Sequence, residues 1–386
     1  MEGEGLLKPQ VIHTIHYPVS AKSFVMPMVA YLNSNSITTE LWLEFNRKHM
    51  NIIQDISVPK RLLNFDFTFN IIKFIFRLSV FRKAIRERQP KVLHAHQSRA
   101  SMIPLLAAYL EKVPIRIYHN HGLPYLGHKG LMKILLFLLE KINLLLANRV
   151  IMVSYSNREA AIKDGLLENR EATVFGNGSA VGIDLSVFKA ELFDQQNKDA
   201  IRRKMGIDQN VFVLGYVGRP QKRKGFHLLL NAWEKSRLGE NGHLLMIAGC
   251  TDDECTKVMN NGIPGLKAFG YLIELMDLYS ACDAVVLPSF HEGFPYALLE
   301  GSAAFRPLIG SDIPGIRCAV INNFNGLLIP VNDENALIAA MNKLATEPEL
   351  RVKLGRNGRD RVENFFSREL VLSEMLKYYQ ALNILE

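Results

Sequence analysis

The chain is 386 residues long, with 48% hydrophobic and 22% charged residues and a net charge of +8 from 46 basic and 38 acidic side chains. This length favours two hydrophobic cores over one, and the ordinary composition excludes a disordered or fibrous chain. The positive balance favours an anionic partner such as lipid head groups or diphosphates. Nucleic acid is argued against, because no binding module for it is visible and the basic residues do not interleave with aromatics.

The opening MEGEGLLKPQ lacks a positively charged start before an apolar core, so no signal peptide is expected. No run reaches 18 uninterrupted apolar residues, so no spanning helix is expected either. Four cysteines, Cys250, Cys255, Cys282 and Cys318, lack metal-site spacing and read as free thiols of a reducing cytoplasm.

Val11–Ile15 reads as the first strand, followed by the glycine-free stretch His16–Phe24. There Lys22 and two serines either contact a ligand or simply join the strand to a helix over about Phe24–Asn33. Glu40–Phe45 is the next strand. NIIKFIFRLSVFRKAIRER, residues 70–88, is helical, with Lys73, Arg77, Arg82, Lys83, Arg86 and Arg88 set among isoleucines and phenylalanines. It is either a core-packed helix with a charged face or a surface that rests on anionic lipid. Leu131–Ala147 is a second greasy helix, either buried between domains or facing a membrane.

Between these helices, Val92–His96 runs into Gln97-Ser98-Arg99, and Ile115–Tyr118 into His119-Asn120-His121-Gly122. Two histidine pairs thus stand at neighbouring strand ends. No carboxylate cluster accompanies them and no Asp-x-Asp occurs, so no metal is expected. Val150–Ser154 is the last strand of this half, and the glycine-rich turn Gly176–Asp184 leads to a boundary near Leu185–Asn197. The second half repeats the alternation. Strands are expected at Val211–Val217, His243–Ala248, Ala268–Gly270, Ala284–Leu287, Leu308–Gly310 and Gly326–Ile329, and a short helix at Leu275–Cys282.

Two stretches of this half carry chemistry. Gly218-Arg219 follows one strand, with Lys224-Gly225 just beyond. HEGFPYALLE, residues 291–300, follows another: the strand ends, a loop carries Glu292 and Gly293, and Pro295 opens a helix. Helix-start N–H groups at the carboxyl edge of a parallel sheet hold anionic oxygens. A carboxylate accepts from two adjacent hydroxyls. Anion donors beside hydroxyl acceptors suit a sugar nucleotide.

Glu292-x7-Glu300 enclosing Gly293-Phe294-Pro295, preceded by Gly218-Arg219 and Lys224-Gly225, resembles the signatures of the retaining glycosyltransferases of family 4. The resemblance implies an α/β fold of GT-B type, two Rossmann-like domains facing each other across a cleft. Residues 1–190 would form the acceptor domain, with a C-terminal helix at 371–386 crossing back onto it, and residues 191–370 the donor domain. It assigns catalysis to Glu292 and His121, the latter near the reacting centre of the donor sugar. Donor binding falls to Gly218, Arg219, Lys224, Gly293, Phe294, Pro295 and Glu300, and the acceptor side to Lys22, His96, Ser98 and Arg99. Family members usually have glycines in the first loop, which this chain lacks.

Without a metal or other cofactor, the charge released on breaking a sugar–diphosphate bond must be met by fixed cations and helix N–H groups. Arg219 offers a planar fork to phosphate oxygens and Lys224 a point charge. Glu300 fits the ribose hydroxyls and Glu292 a sugar hydroxyl. The implied enzyme is cytoplasmic and peripheral to the inner face of the plasma membrane. It would move a hexose or N-acetylhexosamine from a UDP-linked nucleotide sugar to a polyprenyl-diphosphate-linked saccharide in O-antigen-type cell-surface polysaccharide synthesis. Two alternatives remain: a nucleotide-sugar epimerase of the same architecture, which would need no acceptor, and a non-catalytic partner subunit.

Overall fold

A computed structural model describes residues 8–45, 50–167, 170–270 and 275–382. The chain divides into two units, Met1–Gly182 with Glu369–Glu386, and Ile183–Arg368. At the boundary, Ile183 N–H donates to Phe366 O and its carbonyl accepts from Arg368 N–H, so the outgoing and returning strands lie side by side.

The first unit holds six parallel strands in the order β3-β2-β1-β4-β5-β6. They are β1 (Val11–Ile15), β2 (Thr39–Glu44), β3 (Lys60–Leu63), β4 (Val92–His96), β5 (Ile115–Asn120) and β6 (Arg149–Met152). β1, β2 and β4 are buried along their whole length, as strands covered by helices on both faces must be. The second unit repeats the plan in the order β12-β11-β10-β7-β8-β9. Its strands are β7 (Val213–Val217), β8 (Leu244–Ala248), β9 (Leu266–Phe269), β10 (Ala284–Leu287), β11 (Leu308–Ser311) and β12 (Gly326–Ile329). In each sheet the chain winds outward from its first strand and then restarts on that strand's other side. The switch points, β1/β4 and β7/β10, are where ligands bind in open parallel sheets.

Several expectations need correcting. The glycine-free stretch after β1 is mostly helix: it begins at Pro18 and reaches Ser34, through a wider turn at Ala21–Val25. Proline at a first helical position, with its φ already set, accounts for the early start. β3 was not anticipated, because its exposed lysine and half-buried neighbours make no apolar run. The cysteines are not all free. Cys250 and Cys255 form a disulfide from the end of β8 to the first turns of the Asp252–Met259 helix, while Cys282 and Cys318 remain thiols. The last helix, Arg368–Ala381, packs its Tyr379 in the first unit, beside His13 and His94. The expected end of that helix, residues 383–386, lies outside the described residues.

Candidate functional site

The predicted donor residues gather at the β7/β10 switch point of the second unit. The turn after β7 is anchored by Gly218 N–H donating to Ala248 O and by Tyr216 Oη donating to Arg219 O, both at 2.9 Å. The Arg219 side chain is exposed and makes no ion pair among the described residues. A single helical turn, Lys222–Lys224, follows and ends at Gly225 with φ +70°. A Cβ at Gly225 would lie 1.9 Å from Pro288 O. Only glycine permits both that backbone angle and that approach, and the approach lays the Lys224 turn against the end of β10.

Lys224 Nζ consequently meets Glu292 at 2.6 Å, although 68 residues separate them. Ser289 Oγ donates to the same carboxylate oxygen at 2.7 Å, and Glu292 is only 5% exposed. Arg223 donates to His291 O at 2.8 Å, fastening the loop from its other side. Beneath it, a Cβ at Gly315 would fall 2.6 Å from both the Glu292 and Gly293 carbonyl oxygens, so this glycine supports the loop by close backbone approach. Pro295 stands just before the helix Tyr296–Ala303 and not within it. Its carbonyl accepts from Leu298 and Leu299 N–H. Phe294 packs on Phe366 at 5.6 Å between ring centres. One oxygen of Glu300 accepts from Tyr279 Oη at 2.7 Å, and burial pushes its pKa up to about 7.

The predicted residues of the first unit do not form one cluster. His96 and His121 come together, with Nδ1 of His96 3.0 Å from Nε2 of His121. They belong to a larger group: β-sheet register sets His13 opposite His94 and His96 opposite His119. Burial alone lowers the pKa of His13 to about 3 and of His121 to about 4. Burial, then the neighbouring rings, holds His94, His96 and His119 well below the usual range. All five rings are therefore neutral at pH 7. Lys22 lies on the first helix, paired with Asp55 at 3.0 Å. Ser98 is buried, donating to Glu140. Arg99 is exposed and reaches Asp66 only at 3.9 Å.

Sequence reasoning missed His13, Tyr379, Ser289, Gly315 and Glu140. His13 sits in an apolar strand with no motif around it, and Tyr379 arrives from the far end of the chain. Glu140 was passed over as one charge in a greasy helix. It is buried, bonded to Tyr118 Oη at 2.6 Å and Asn120 Nδ2 at 3.0 Å, with its pKa pushed up to about 8 by burial. Asn120 Oδ1 in turn accepts from Gly122 N–H at 2.8 Å, so this carboxyl orients the turn that carries His121.

Two parallel-sheet units, each with its own switch point, define an α/β fold of GT-B type. Family models agree: "Glycosyltransferase Family 4" matches residues 43–179 and "Glycosyl transferases group 1" matches residues 197–361. The chain is 30% identical over 298 residues to the capsular polysaccharide biosynthesis glycosyltransferase CapM of Staphylococcus aureus, covering 76% of this chain and 77% of that one. It is 28% identical to an Escherichia coli UDP-Gal:α-D-GlcNAc-diphosphoundecaprenol α-1,3-galactosyltransferase, with 77% of each covered. Among solved structures, sucrose-phosphate synthase from Thermosynechococcus elongatus superposes with a TM-score of 0.77 at 18% identity, over 98% of this chain and 100% of that one. Anabaena HepE in complex with UDP also gives 0.77, at 16% identity, over 96% and 100%. The chain belongs to glycosyltransferase family 4.

The two cations of the donor loop differ in what holds them. Lys224 neutralises a buried carboxylate, whereas Arg219 touches solvent. Lys224→Ala should therefore cost about 1–3 kcal/mol in urea unfolding, the usual cost of stranding a buried polar partner. Arg219→Ala should leave the midpoint unchanged. Equal midpoints for both variants would contradict the pairing.

Proposed function

We propose that this glycosyltransferase moves a hexose or N-acetylhexosamine from a UDP-sugar to a polyprenyl-diphosphate-linked saccharide, with retention at the anomeric carbon and no metal ion. The observation that carries the proposal is the 2.6 Å contact of Lys224 with Glu292, which joins two distant loops at one sheet edge. Arg219 and Lys224 stabilise the leaving diphosphate. Glu292, fixed by Lys224 and Ser289, accepts from a donor-sugar hydroxyl. Glu300 keeps one oxygen for the ribose while Tyr279 occupies the other. His121 faces the reacting sugar, and the leaving phosphate serves as base. The acceptor class and the synthesis of cell-surface polysaccharide are supported by relatives named for capsular synthesis and for diphosphoundecaprenol acceptors.

An acceptor with a polyprenyl tail stays in the bilayer, so the enzyme must come to the inner face of the membrane. No described helix is long and apolar enough to cross one. Two helices instead expose apolar side chains: Ile72 and Phe76 on Ile71–Arg88 are 76% and 66% exposed, and Leu131 on Gly130–Leu146 is 71% exposed. Both pack against the Ser98–Leu110 helix and start at the same carboxyl edge of the sheet. The basic residues expected to meet lipid phosphates are largely occupied. Arg82 and Arg86 pair with Glu111, and Arg77 donates to Asp66 O. Exposed Lys73, Lys83 and Lys133 remain for the lipid, alongside the apolar side chains that insert.

Transfer should persist in excess EDTA, and Arg219→Ala should lower its rate by about 10²–10³-fold, the usual cost of removing one transition-state charge partner. Loss of transfer in EDTA with recovery on adding magnesium would contradict the metal-free mechanism. Replacing Ile72, Phe76 and Leu131 together by serine should abolish flotation with anionic vesicles while transfer to a water-soluble acceptor analogue continues. Undiminished flotation of that variant would contradict the membrane assignment.

A further inference from the structure

The histidine group spans the neighbouring strands β1, β4 and β5 and the turn after β5. His13, His94, His96 and His119 are fully buried, as is Tyr379 from the last helix. Among the described residues no carboxylate bonds to these rings or to His121. Their nitrogens meet one another instead: His96 and His121 at 3.0 Å, His13 and His96 at 3.1 Å, His94 and His119 at 3.2 Å. Tyr379 Oη then bonds Nδ1 of His94 and lies 3.5 Å from Nε2 of His13.

A neutral imidazole has one N–H and one lone pair. The rings along this chain therefore pass protons in series, and Tyr379 Oη between His13 and His94 either accepts from both or donates to one. Either way the run ends at Nε2 of His119, which is buried without a partner. Leaving such a nitrogen unpaired costs about 1–3 kcal/mol.

A bound cation gives that nitrogen a partner. His96, His119 and His121 each bring a nitrogen within 4.8 Å of the others'. Since Nδ1 of His119 is engaged by His94, its free Nε2 is the ligating atom, together with Nδ1 of His96 and Nε2 of His121. Each ligand ring then carries its proton on the far nitrogen. His96 donates to His13 and His119 to His94. Those two rings pass their own N–H groups to the single phenol oxygen of Tyr379, which has two lone pairs to accept them. Partners that orient the far nitrogen are what ligating histidines characteristically have.

We propose that His96, His119 and His121 form a three-imidazole site for a borderline first-row cation, Zn²⁺ above all, with His13, His94 and Tyr379 as its supporting hydrogen-bonding shell. An all-nitrogen set suits zinc, cobalt or nickel and does not suit magnesium or manganese, which take oxygen ligands. Half-buried His121 supplies the entry side, and a fourth position is left for water. The cation is not the reaction's Lewis acid at the diphosphate. It draws His121 Nε2 away from the sugar and so inhibits, a consequence that rests on the transferase reading.

The test uses tag-free, full-length protein, stripped with EDTA and dialysed. Titration with Co²⁺ should give visible d–d absorption that saturates at one equivalent and is displaced by Zn²⁺ but not by Mg²⁺. In calorimetry His119→Gln should abolish Zn²⁺ binding. Tyr379→Phe, which keeps the ring and its packing, should weaken binding about 10–100-fold, as loss of an outer-shell partner does. Circular dichroism confirms that both variants fold. No stoichiometric Co²⁺ spectrum, or Zn²⁺ affinity unchanged in Tyr379→Phe, would overturn the proposal. Tight binding of Zn²⁺ without any fall in transfer rate would uphold the site and overturn only the part given to His121.

Discussion

The site of the second unit depends on how closely two backbones meet at Gly225 and Pro288. A single methyl group at residue 225 would sit 1.9 Å from the Pro288 carbonyl oxygen. The contact exists only because glycine allows both the left-handed angle and the approach. From it follow the position of Lys224 beside Glu292 and the burial of that carboxylate. Gly315 performs the same service below the loop. The charges of the site are thus held by backbone proximity.

The two sheets solve one topological problem twice and place different chemistry at the answer. At β7/β10 the switch point gathers cations and carboxylates suited to a nucleotide sugar. At β1/β4 it gathers neutral rings, because five histidines cannot stay charged out of water with no anion among them.

Much of this was legible in the sequence, for identifiable reasons. Continuous apolar runs such as Val285-Val286-Leu287 read as buried parallel strands because helices cover both faces of each sheet. Glu292, Lys224 and Gly225 were legible because a turn built on close backbone approach tolerates few residues. What escaped depends on long-range packing. Tyr379 meets His94 across 285 residues, and nothing local to either announces it. The Cys250–Cys255 bridge was missed because spacing was read for metal ligation, when it is a helix start folding back onto a strand end that pairs them. The basic residues of the Ile71–Arg88 helix were misjudged because a sequence does not show that Glu111, from a neighbouring helix, already satisfies Arg82 and Arg86.

The account stands or falls on transfer itself. Mass spectrometry of the products formed from a panel of UDP-sugars, with and without a short polyprenyl-diphosphate-linked saccharide, measures this directly. One donor should yield UDP and an acceptor longer by one sugar, and should remain unchanged when the acceptor is omitted. A converted nucleotide sugar appearing without acceptor, or no product from any donor in the panel, would contradict it.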